Sequence, residues 1–286
     1  MIETIHGLHV ASRGSGDVRD DLVAADVFWH QGQCLGITIG DAQTGSAVLV
    51  ERDGAILVEQ VFAGPDGAAI CRFLTSNDGR YVESQSLASL DQGDLYGLFV
   101  EPVMRTILSR TGLVSFHAAA LVKQGSAVLI LGRKGAGKSS LAGAMYQIGW
   151  QPLADDLVRV IDCDGRWHAA AGGTASRVNA DTARALGFNT GALATRWSIP
   201  GAVGNKFLLP SGTFGPLPSR IPIRAVLLLD ARDPTLANPR CHRAAGGDVL
   251  RGLVANLTPD PLAPGALPSR DAMGVVGALS RQAAVY

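Results

Sequence analysis

Residues 132–139 read Gly-Arg-Lys-Gly-Ala-Gly-Lys-Ser and match the pattern G-x-x-x-x-G-K-[ST]. In this pattern, glycines let successive backbone N–H groups curl around a polyphosphate, the lysine neutralises phosphate oxygens and the hydroxyl contacts Mg²⁺. An apolar run at 127–131 predicts a buried strand before the loop, and residues 140–148 predict a helix after it. This order, together with the positive end of the helix, favours a phosphate-binding loop over an ordinary glycine turn.

The composition excludes several classes of protein. The chain has 286 residues, 47% of them hydrophobic and 17% charged, which predicts one large domain or two modest ones. A net charge of zero gives no indication of a nucleic-acid or membrane-surface partner. Neither a signal peptide nor an apolar stretch long enough for a membrane span is expected. The four cysteines lack a CxxC pattern, so we expect free thiols and a cytoplasmic protein.

The N-terminal third predicts a small β-rich module, residues 1–92, without a catalytic signature. The apolar runs 47–50 and 55–58 flank an Asp-Gly turn, and a second hairpin is expected over 71–82. Apolar residues then recur at helical spacing over 94–110, which predicts a helix that links the module to a nucleotide domain at 93–286.

Three aspartates of the predicted nucleotide domain, Asp155, Asp156 and Asp230, are candidates to bind a metal ion or to accept a proton. Residues 113–122 predict a strand before the loop, and Asp155-Asp156 follows the loop helix. When two adjacent carboxylates lie near a Mg²⁺-triphosphate, one can bind the metal ion while the other accepts the proton of the attacking hydroxyl. The alternative is a pair at a strand edge that faces solvent. Asp230, after the apolar strand 223–229, is a rival for the metal-side aspartate.

Three separated elements resemble the catalytic domain of bacterial HPr kinase/phosphorylase and its relatives. They are His117 on the preceding strand, the loop 132–139, and the pair Asp155-Asp156 after the loop helix. The resemblance implies an α/β fold with a P-loop catalytic domain of the HPr-kinase-like and PEP-carboxykinase-like type, preceded by an N-terminal β-rich module. It continues more weakly through 177–187, 205–207 and 223–230, which look like HPr-kinase-like proteins encoded with ribosomally made peptides, including lasso-peptide kinases.

The resemblance implies an ATP-dependent kinase that phosphorylates a Ser or Thr hydroxyl of a peptide or small protein. Asp155 would accept the hydroxyl proton, His117 would orient Asp155 or the phosphate, and Lys138 would hold the β- and γ-phosphates. Ser139 and Asp156 would position Mg²⁺. The nucleotide would contact the whole loop, which consists of Gly132, Arg133, Lys134, Gly135, Ala136, Gly137, Lys138, Ser139 and the following Ser140.

The sequence departs from the family at three points. Ala118 follows His117 where the bifunctional enzymes usually carry Gly, and their second signature, rich in Arg and Gly, is missing. Ser140 stands where an acidic residue often follows the loop. The first two departures argue against HPr as the substrate and against phosphorylase activity, but they do not weaken the kinase core.

Other functions remain as alternatives. They are an HPr-type serine kinase, a nucleotide-binding regulatory protein without transfer activity, and a small-molecule kinase that uses Asp230. A GTPase is disfavoured because Asn205-Lys206-Phe207-Leu208 lacks the aspartate of the base-reading motif. Arg196 and Lys206 could reach phosphates or an acidic substrate, although a solvated charge is the simpler interpretation of each. A homo-oligomer is expected only by analogy with the ring-forming relatives.

Overall fold

The computed structural model describes residues 2–13, 26–32, 47–52, 54–63, 69–86, 90, 92–172, 176–191, 206–209, 216–230, 238 and 240–286. Their contacts form two compact units. The first contains the described residues as far as Leu113 together with Pro259–Ala266, and the second contains the other described residues from Val114 onwards. The helical segment before Leu113 therefore belongs to the first unit by its contacts. The division into a β-rich module at 1–92 and a nucleotide domain at 93–286 stays a prediction.

The first unit is built on a seven-stranded sheet. Its strands are β1 (Ile2–Ile5), β2 (Leu8–Arg13), β3 (Val27–Gly32), β4 (Ala47–Arg52), β5 (Ala55–Ala63), β6 (Ala69–Ser76) and β7 (Tyr81–Ser86). They lie in the order β1-β2-β3-β7-β6-β5-β4. The antiparallel pairs β4–β5 and β6–β7 confirm both predicted hairpins. Val58 on β5, Phe73 on β6 and Val82 on β7 are fully buried and belong to the hydrophobic core of this unit.

The predicted helix over 94–110 is confirmed, but its middle is a π-helix. Helices α1 (Gln92–Leu98) and α2 (Met104–Arg110) flank the π segment Phe99–Val103, which contains Pro102. Proline has no N–H to donate and its ring clashes with the preceding turn, so the helix widens there. The buried His6 Nε2 lies 3.1 Å from the Val100 carbonyl oxygen, which it satisfies. His6 is thus buried against the π segment.

The second unit contains an eight-stranded mixed sheet and a two-stranded sheet. Its strands are β8 (Ser115–Phe116), β9 (Ala118–Lys123), β10 (Ser126–Gly132), β11 (Gln151–Ala154), β12 (Val158–Cys163), β13 (Arg166–Ala170), β14 (Arg177–Asn179), β15 (Lys206–Leu208), β16 (Arg220–Leu229) and β17 (Ala284–Val285). The large sheet has the order β11-β9-β10-β16-β13-β12-β8, with β17 beside β16. Because β10 and β16 are parallel and Gly132 lies opposite Leu229, Asp230 follows β16 at the edge of the sheet where the glycine loop begins.

Four helices complete the described part of the second unit: α3 (Lys138–Gln147), α4 (Ala180–Ala185), α5 (Gly247–Ala255) and α6 (Arg270–Gln282). The strand and the helix predicted on either side of the glycine loop are thus confirmed, and so is the mixed α/β class. Asn179 caps α4 by accepting the Thr182 N–H at 2.7 Å. No helix in the described ranges is long and apolar enough to cross a membrane.

Two predictions about strands were wrong. The single strand expected over 113–122 is interrupted at His117, because β8 pairs with β12 whereas β9 pairs with β10 and β11. The Gly- and Pro-rich composition of residues 189–220 predicts a long loop, but Lys206–Leu208 within this range form the short strand β15, which pairs with β14. Both differences arise from pairing with partners that are distant in sequence.

Candidate active site

The glycine loop connects β10 to α3 and needs glycine for two different reasons. A Cβ on Gly132 (φ 157°) would lie 3.0 Å from the Leu229 Cβ and 3.1 Å from its carbonyl oxygen, so the close approach of β16 excludes a side chain. Gly135 and Gly137 instead have φ angles of 86° and 106°, which L-residues rarely adopt. Helix α3 begins immediately afterwards, and the N–H groups of its first turn have no acceptor within the helix. The loop thus presents backbone donors and the positive end of a helix to one region.

Lys138 is the first residue of α3 and points back into the protein. Its ammonium donates to the Gly132 carbonyl at 2.6 Å and lies 3.0 Å from His117 Nε2. Only 7% of the residue is exposed. Burial lowers the pKa of the Lys138 ammonium, and the negative charges of Asp156 and Asp155 partly oppose that shift.

His117 occupies the break between β8 and β9. Its Nδ1 lies 3.1 Å from the main-chain oxygen of Asp156. A carbonyl oxygen only accepts hydrogen bonds, so Nδ1 carries the proton and the lone pair of Nε2 accepts from Lys138. We assign His117 as the neutral Nδ1–H tautomer on these two contacts. It joins the glycine-loop lysine to the backbone of the aspartate pair.

The aspartate pair lies in the connection between β11 and β12, and Arg177 contacts both carboxylates. Asp155 is 5% exposed, and its Oδ2 accepts the main-chain N–H of Arg177 at 2.8 Å. Asp156 has a left-handed backbone (φ 60°), and its Oδ2 lies 2.8 Å from Arg177 Nη2. The Arg177 Nε is 3.8 Å from Asp155 Oδ2. The alternative of a solvent-facing pair is therefore wrong for Asp155, which is buried beside a guanidinium.

Two residues of this cluster were missed by the sequence analysis. Arg177 is 7% exposed on β14, and only its place at the start of a weakly matching segment drew attention to it. Asn256 follows α5; its Oδ1 accepts the Gly132 N–H at 2.9 Å and its main-chain oxygen accepts the His117 N–H at 2.8 Å. Nothing in the local sequence marks Asn256, because an asparagine after a helix is common.

The remaining predicted site residues lie outside this hydrogen-bonded cluster or outside the described residues. Arg133 and Lys134 are exposed in the loop, and Ser139 is half-buried at the start of α3. Ser140 Oγ lies 3.0 Å from Thr182 Oγ1, so this hydroxyl contacts α4. Asp230 is exposed at the end of β16. Arg196, Asn205 and the side chain of Lys206 lie outside the described residues, and the nucleotide contacts of the whole loop stay predictions.

The described residues contain no group of three or more His, Cys, Asp or Glu side chains that could hold a metal ion by themselves. The predicted magnesium ligands are the Ser139 hydroxyl and the Asp156 carboxylate, and the Asp156 side chain is 23% exposed. Hydroxyl and carboxylate oxygens suit Mg²⁺, which usually takes one or two protein ligands plus phosphates and water. The donor set is therefore chemically compatible with Mg²⁺ held together with a nucleotide.

Comparisons with known proteins add little to this geometry. No family model matches the chain. No curated protein matches it either. Among solved structures, the HPr(Ser) kinase/phosphatase from Coxiella burnetii is 16% identical, and the alignment covers 40% of this chain and 63% of that chain with a TM-score of 0.24. The chain thus spans less than two thirds of that protein, and a likeness of this size carries no argument about activity.

Proposed function

We propose that the protein is an ATP-dependent kinase that phosphorylates a Ser or Thr hydroxyl of a peptide or small protein. A ribosomally made precursor peptide is the first acceptor to try, following the resemblance to lasso-peptide kinases. One observation supports the proposal above the others. His117 lies 3.0 Å from the Lys138 ammonium and 3.1 Å from the backbone of Asp156, so the loop lysine and the carboxylate pair belong to one hydrogen-bonded cluster.

The glycine loop and the start of α3 are suited to bind the ATP phosphates. Apart from each glycine and its two chain neighbours, no described residue has an atom within 4 Å of the place where a Cβ on Gly135 or Gly137 would lie, which leaves space for a ligand beside this backbone. Ser139 and Asp156 would hold Mg²⁺, which when bound neutralises charge on the phosphate oxygens. Phosphoryl transfer depends mainly on such positioning and charge stabilisation, so the cluster needs little covalent chemistry of its own.

Lys138 would have to change partners when ATP binds. Without nucleotide, its ammonium donates to the Gly132 carbonyl and contacts His117 Nε2. Phosphate oxygens are stronger acceptors because they are charged, so they would replace at least one of these partners. The exchange would release His117 Nε2 to accept another hydrogen bond within the site.

Asp155 would act as the proton acceptor. The hydroxyl oxygen of the acceptor forms a bond to the γ-phosphorus, the bond from that phosphorus to the ADP oxygen breaks, and a carboxylate oxygen of Asp155 takes the hydroxyl proton. Arg177 would keep both carboxylates in place, because its main-chain N–H contacts the buried Asp155 at 2.8 Å and its guanidinium contacts Asp156 at 2.8 Å. The products are ADP and a phosphorylated Ser or Thr.

Intact-mass spectrometry tests the proposal directly. Candidate precursor peptides, and HPr, are incubated with the protein, ATP and Mg²⁺, and a gain of about eighty daltons marks one phosphate. The gain should disappear with Lys138→Ala and with Asp155→Asn. Lys123→Ala is the matched control, because Lys123 also donates to a main-chain carbonyl, that of Ile148 at 2.6 Å, but lies outside the cluster.

The alternatives predict different outcomes of the same experiment. Phosphorylation of HPr would indicate an HPr-type serine kinase, and ATP binding without any transfer would indicate a regulatory nucleotide-binding protein. Transfer that survives Lys138→Ala would contradict the assigned site.

A small-molecule kinase is the second candidate, and the position of Asp230 favours it. Asp230 is exposed and follows Leu229, which lies opposite Gly132 in the parallel pairing of β16 with β10. It thus lies at the same sheet edge as the loop. Mg²⁺-dependent ATP turnover should fall further with Asp156→Asn than with Asp230→Asn if the peptide-kinase proposal is correct. Greater damage at Asp230 would favour the second candidate.

A further inference from the structure

A closed ring of four hydrogen bonds links Asn256 to the cluster. Asn256 Oδ1 accepts the Gly132 N–H at 2.9 Å, and the Gly132 carbonyl accepts from Lys138 at 2.6 Å. Lys138 contacts His117 Nε2 at 3.0 Å, and the His117 N–H returns to the Asn256 main-chain oxygen at 2.8 Å. Asn256, at the end of α5, thus binds the His117 backbone directly and binds Lys138 through the Gly132 peptide unit.

We propose that Asn256 is a positioning residue, which sets the start of the glycine loop relative to His117 and so places Lys138 for phosphate. This role rests on the proposed phosphotransferase function, in which Lys138 holds the ATP phosphates. In the hydrogen bonds described above, Asn256 contacts neither the proposed magnesium ligands Ser139 and Asp156 nor the proposed proton acceptor Asp155. Its effect is carried by the Gly132 peptide unit, whose N–H bonds to Asn256 and whose carbonyl bonds to Lys138.

The Asn256 side chain is itself held in one orientation. Its Nδ2 donates to the Gly252 carbonyl at 2.8 Å, which directs Oδ1 towards Gly132. Helix α5 is in turn packed closely on β16 at Gly252, where a Cβ would collide with the Leu228 side chain. The amide therefore has a rigid support from the helix that carries it.

The backbone of the same segment is fixed to β8 independently of the side chain. Leu257 forms an antiparallel bridge with Phe116, and the Thr258 N–H donates to the Ser115 carbonyl at 2.9 Å. A substitution of the Asn256 side chain should therefore leave the His117 backbone in place, and it should release the Gly132 N–H and, within α5 itself, the Gly252 carbonyl. This separation makes the positioning role testable.

The first measurement is hydrogen–deuterium exchange of the full-length protein without nucleotide. Asn256→Ala should speed exchange in peptides covering residues 132–138 by about tenfold or more, because the buried Gly132 N–H loses its acceptor. Asn256→Asp keeps an oxygen for that N–H and should restore most of the protection. Ser269→Ala is the matched control: Ser269 Oγ also accepts one main-chain N–H in this unit, that of Ala272, but at the start of α6.

The second measurement is the rate of peptide phosphorylation at saturating and at limiting concentrations of the acceptor peptide. Asn256→Ala should lower kcat by about 10- to 100-fold, with little change in KM for the acceptor peptide, because a small displacement of Lys138 affects transfer more than acceptor binding. Asn256→Asp should recover part of the lost kcat, and Ser269→Ala should keep wild-type kcat.

The outcomes separate this inference from the proposed function. Unchanged exchange of the loop in Asn256→Ala, or a kcat loss that Asn256→Asp does not reduce, would overturn the positioning role. Absence of phosphate transfer in the wild-type protein would refute the proposed function, whereas the exchange data would still decide whether Asn256 fixes the loop. If Asn256→Ala does not fold, Asn256→Ser takes its place, because the serine oxygen lies one bond closer to the backbone than Asn256 Oδ1 and is therefore displaced from the Gly132 N–H.

Discussion

At the scale of single residues, Arg177 is the cation that compensates the aspartate pair. Arg177→Ala would leave Asp155 and Asp156 without the guanidinium that lies 3.8 Å and 2.8 Å from their Oδ2 atoms. Removing one partner of a buried ion pair typically costs about 3–5 kcal/mol of unfolding free energy. We expect a loss of this size in urea denaturation.

The control for Arg177 is the exposed ion pair of Arg184 with Asp181, whose side chains are 77% and 91% exposed. Arg184→Ala should change the unfolding free energy by less than about 1 kcal/mol, because water screens such pairs. Equal effects of the two substitutions would show that Arg177 does not compensate buried charge.

Asp78 provides a pH-dependent prediction in the hairpin between β6 and β7. The Ser76 hydroxyl donates to its carboxylate at 2.6 Å, and together with the Arg80 N–H this holds the pKa of Asp78 below its ordinary value of 3.8. A carboxyl with a lowered folded-state pKa stabilises the fold above its unfolded-state pKa, and the contribution is lost as the pH falls through the folded-state value.

The expected result is that Asp78→Ala is less stable than wild type at neutral pH by less than about 1 kcal/mol, since Asp78 is exposed. The difference should shrink as the pH falls below about 4. Denaturant titrations of wild type and Asp78→Ala, at neutral pH and below about pH 4, measure this difference in unfolding free energy. A deficit that stays constant with pH would mean that the charged hydrogen bonds contribute nothing.

Residues with a local motif were predictable, whereas residues with distant partners were not. Lys138 follows from eight consecutive residues, and Asp155-Asp156 from a pair in an apolar setting. The hydrogen bond of Asn256 with Gly132 joins positions 124 apart, and that of Arg177 with Asp155 joins positions 22 apart. No periodicity or spacing within a short window encodes such contacts, because they exist only after the sheet has formed.

At the scale of elements, Gly143 decides how closely α3 packs on β14. A Cβ at this buried position would lie 2.8 Å from Leu186 Cδ1 and 3.1 Å from Val178 Cγ1. We expect Gly143→Val to destabilise the protein by about 1–3 kcal/mol through overpacking. It should also lower transfer activity, because β14 carries Arg177.

Gly274 is the control, since it also lies inside a helix, α6, but an added Cβ would have no described atom within 4 Å apart from its chain neighbours and the nearby backbone of α6 itself. Gly274→Ala should stabilise the protein by about 0.5–1 kcal/mol, because alanine favours the helix. Thermal unfolding of both variants compares the two. Stabilisation by Gly143→Val would contradict the close packing of α3.

Element types were predictable where the pattern was strong and local. The strand and helix beside the glycine loop and both hairpins follow from periodicity and turn residues. The break at His117 does not, because it results from a change of partner strands and not from any helix- or strand-breaking residue in the run around it. The π segment is signalled only by Pro102, which by itself predicts a kink without specifying its form.

At the scale of the whole molecule, the two units are not consecutive segments of the chain. Pro259–Ala266 groups with residues before Leu113, and Arg110 Nη1 lies 3.9 Å from Asp260 Oδ2 inside that first unit. A fragment of residues 114–286 would therefore keep this segment but lose the residues that it contacts. We expect the fragment to unfold at a lower temperature than the second unit does in the full chain.

Differential scanning calorimetry of the fragment and of the full chain provides the measurement. Limited proteolysis should also cut the fragment within 259–266 sooner than it cuts the full chain, because the segment has lost its packing. Identical melting and cleavage would mean that a single boundary suffices to separate the units.

The left-handed backbone of Asp156 restricts which residues this position accepts. At φ 60°, most L-residues lose about 1–2 kcal/mol, whereas Gly, Asn and Asp adopt this conformation more readily. Glutamate would preserve the carboxylate but not the backbone preference, and asparagine would preserve the backbone but not the charge. Among the standard amino acids, aspartate alone combines a negative charge with tolerance of this turn.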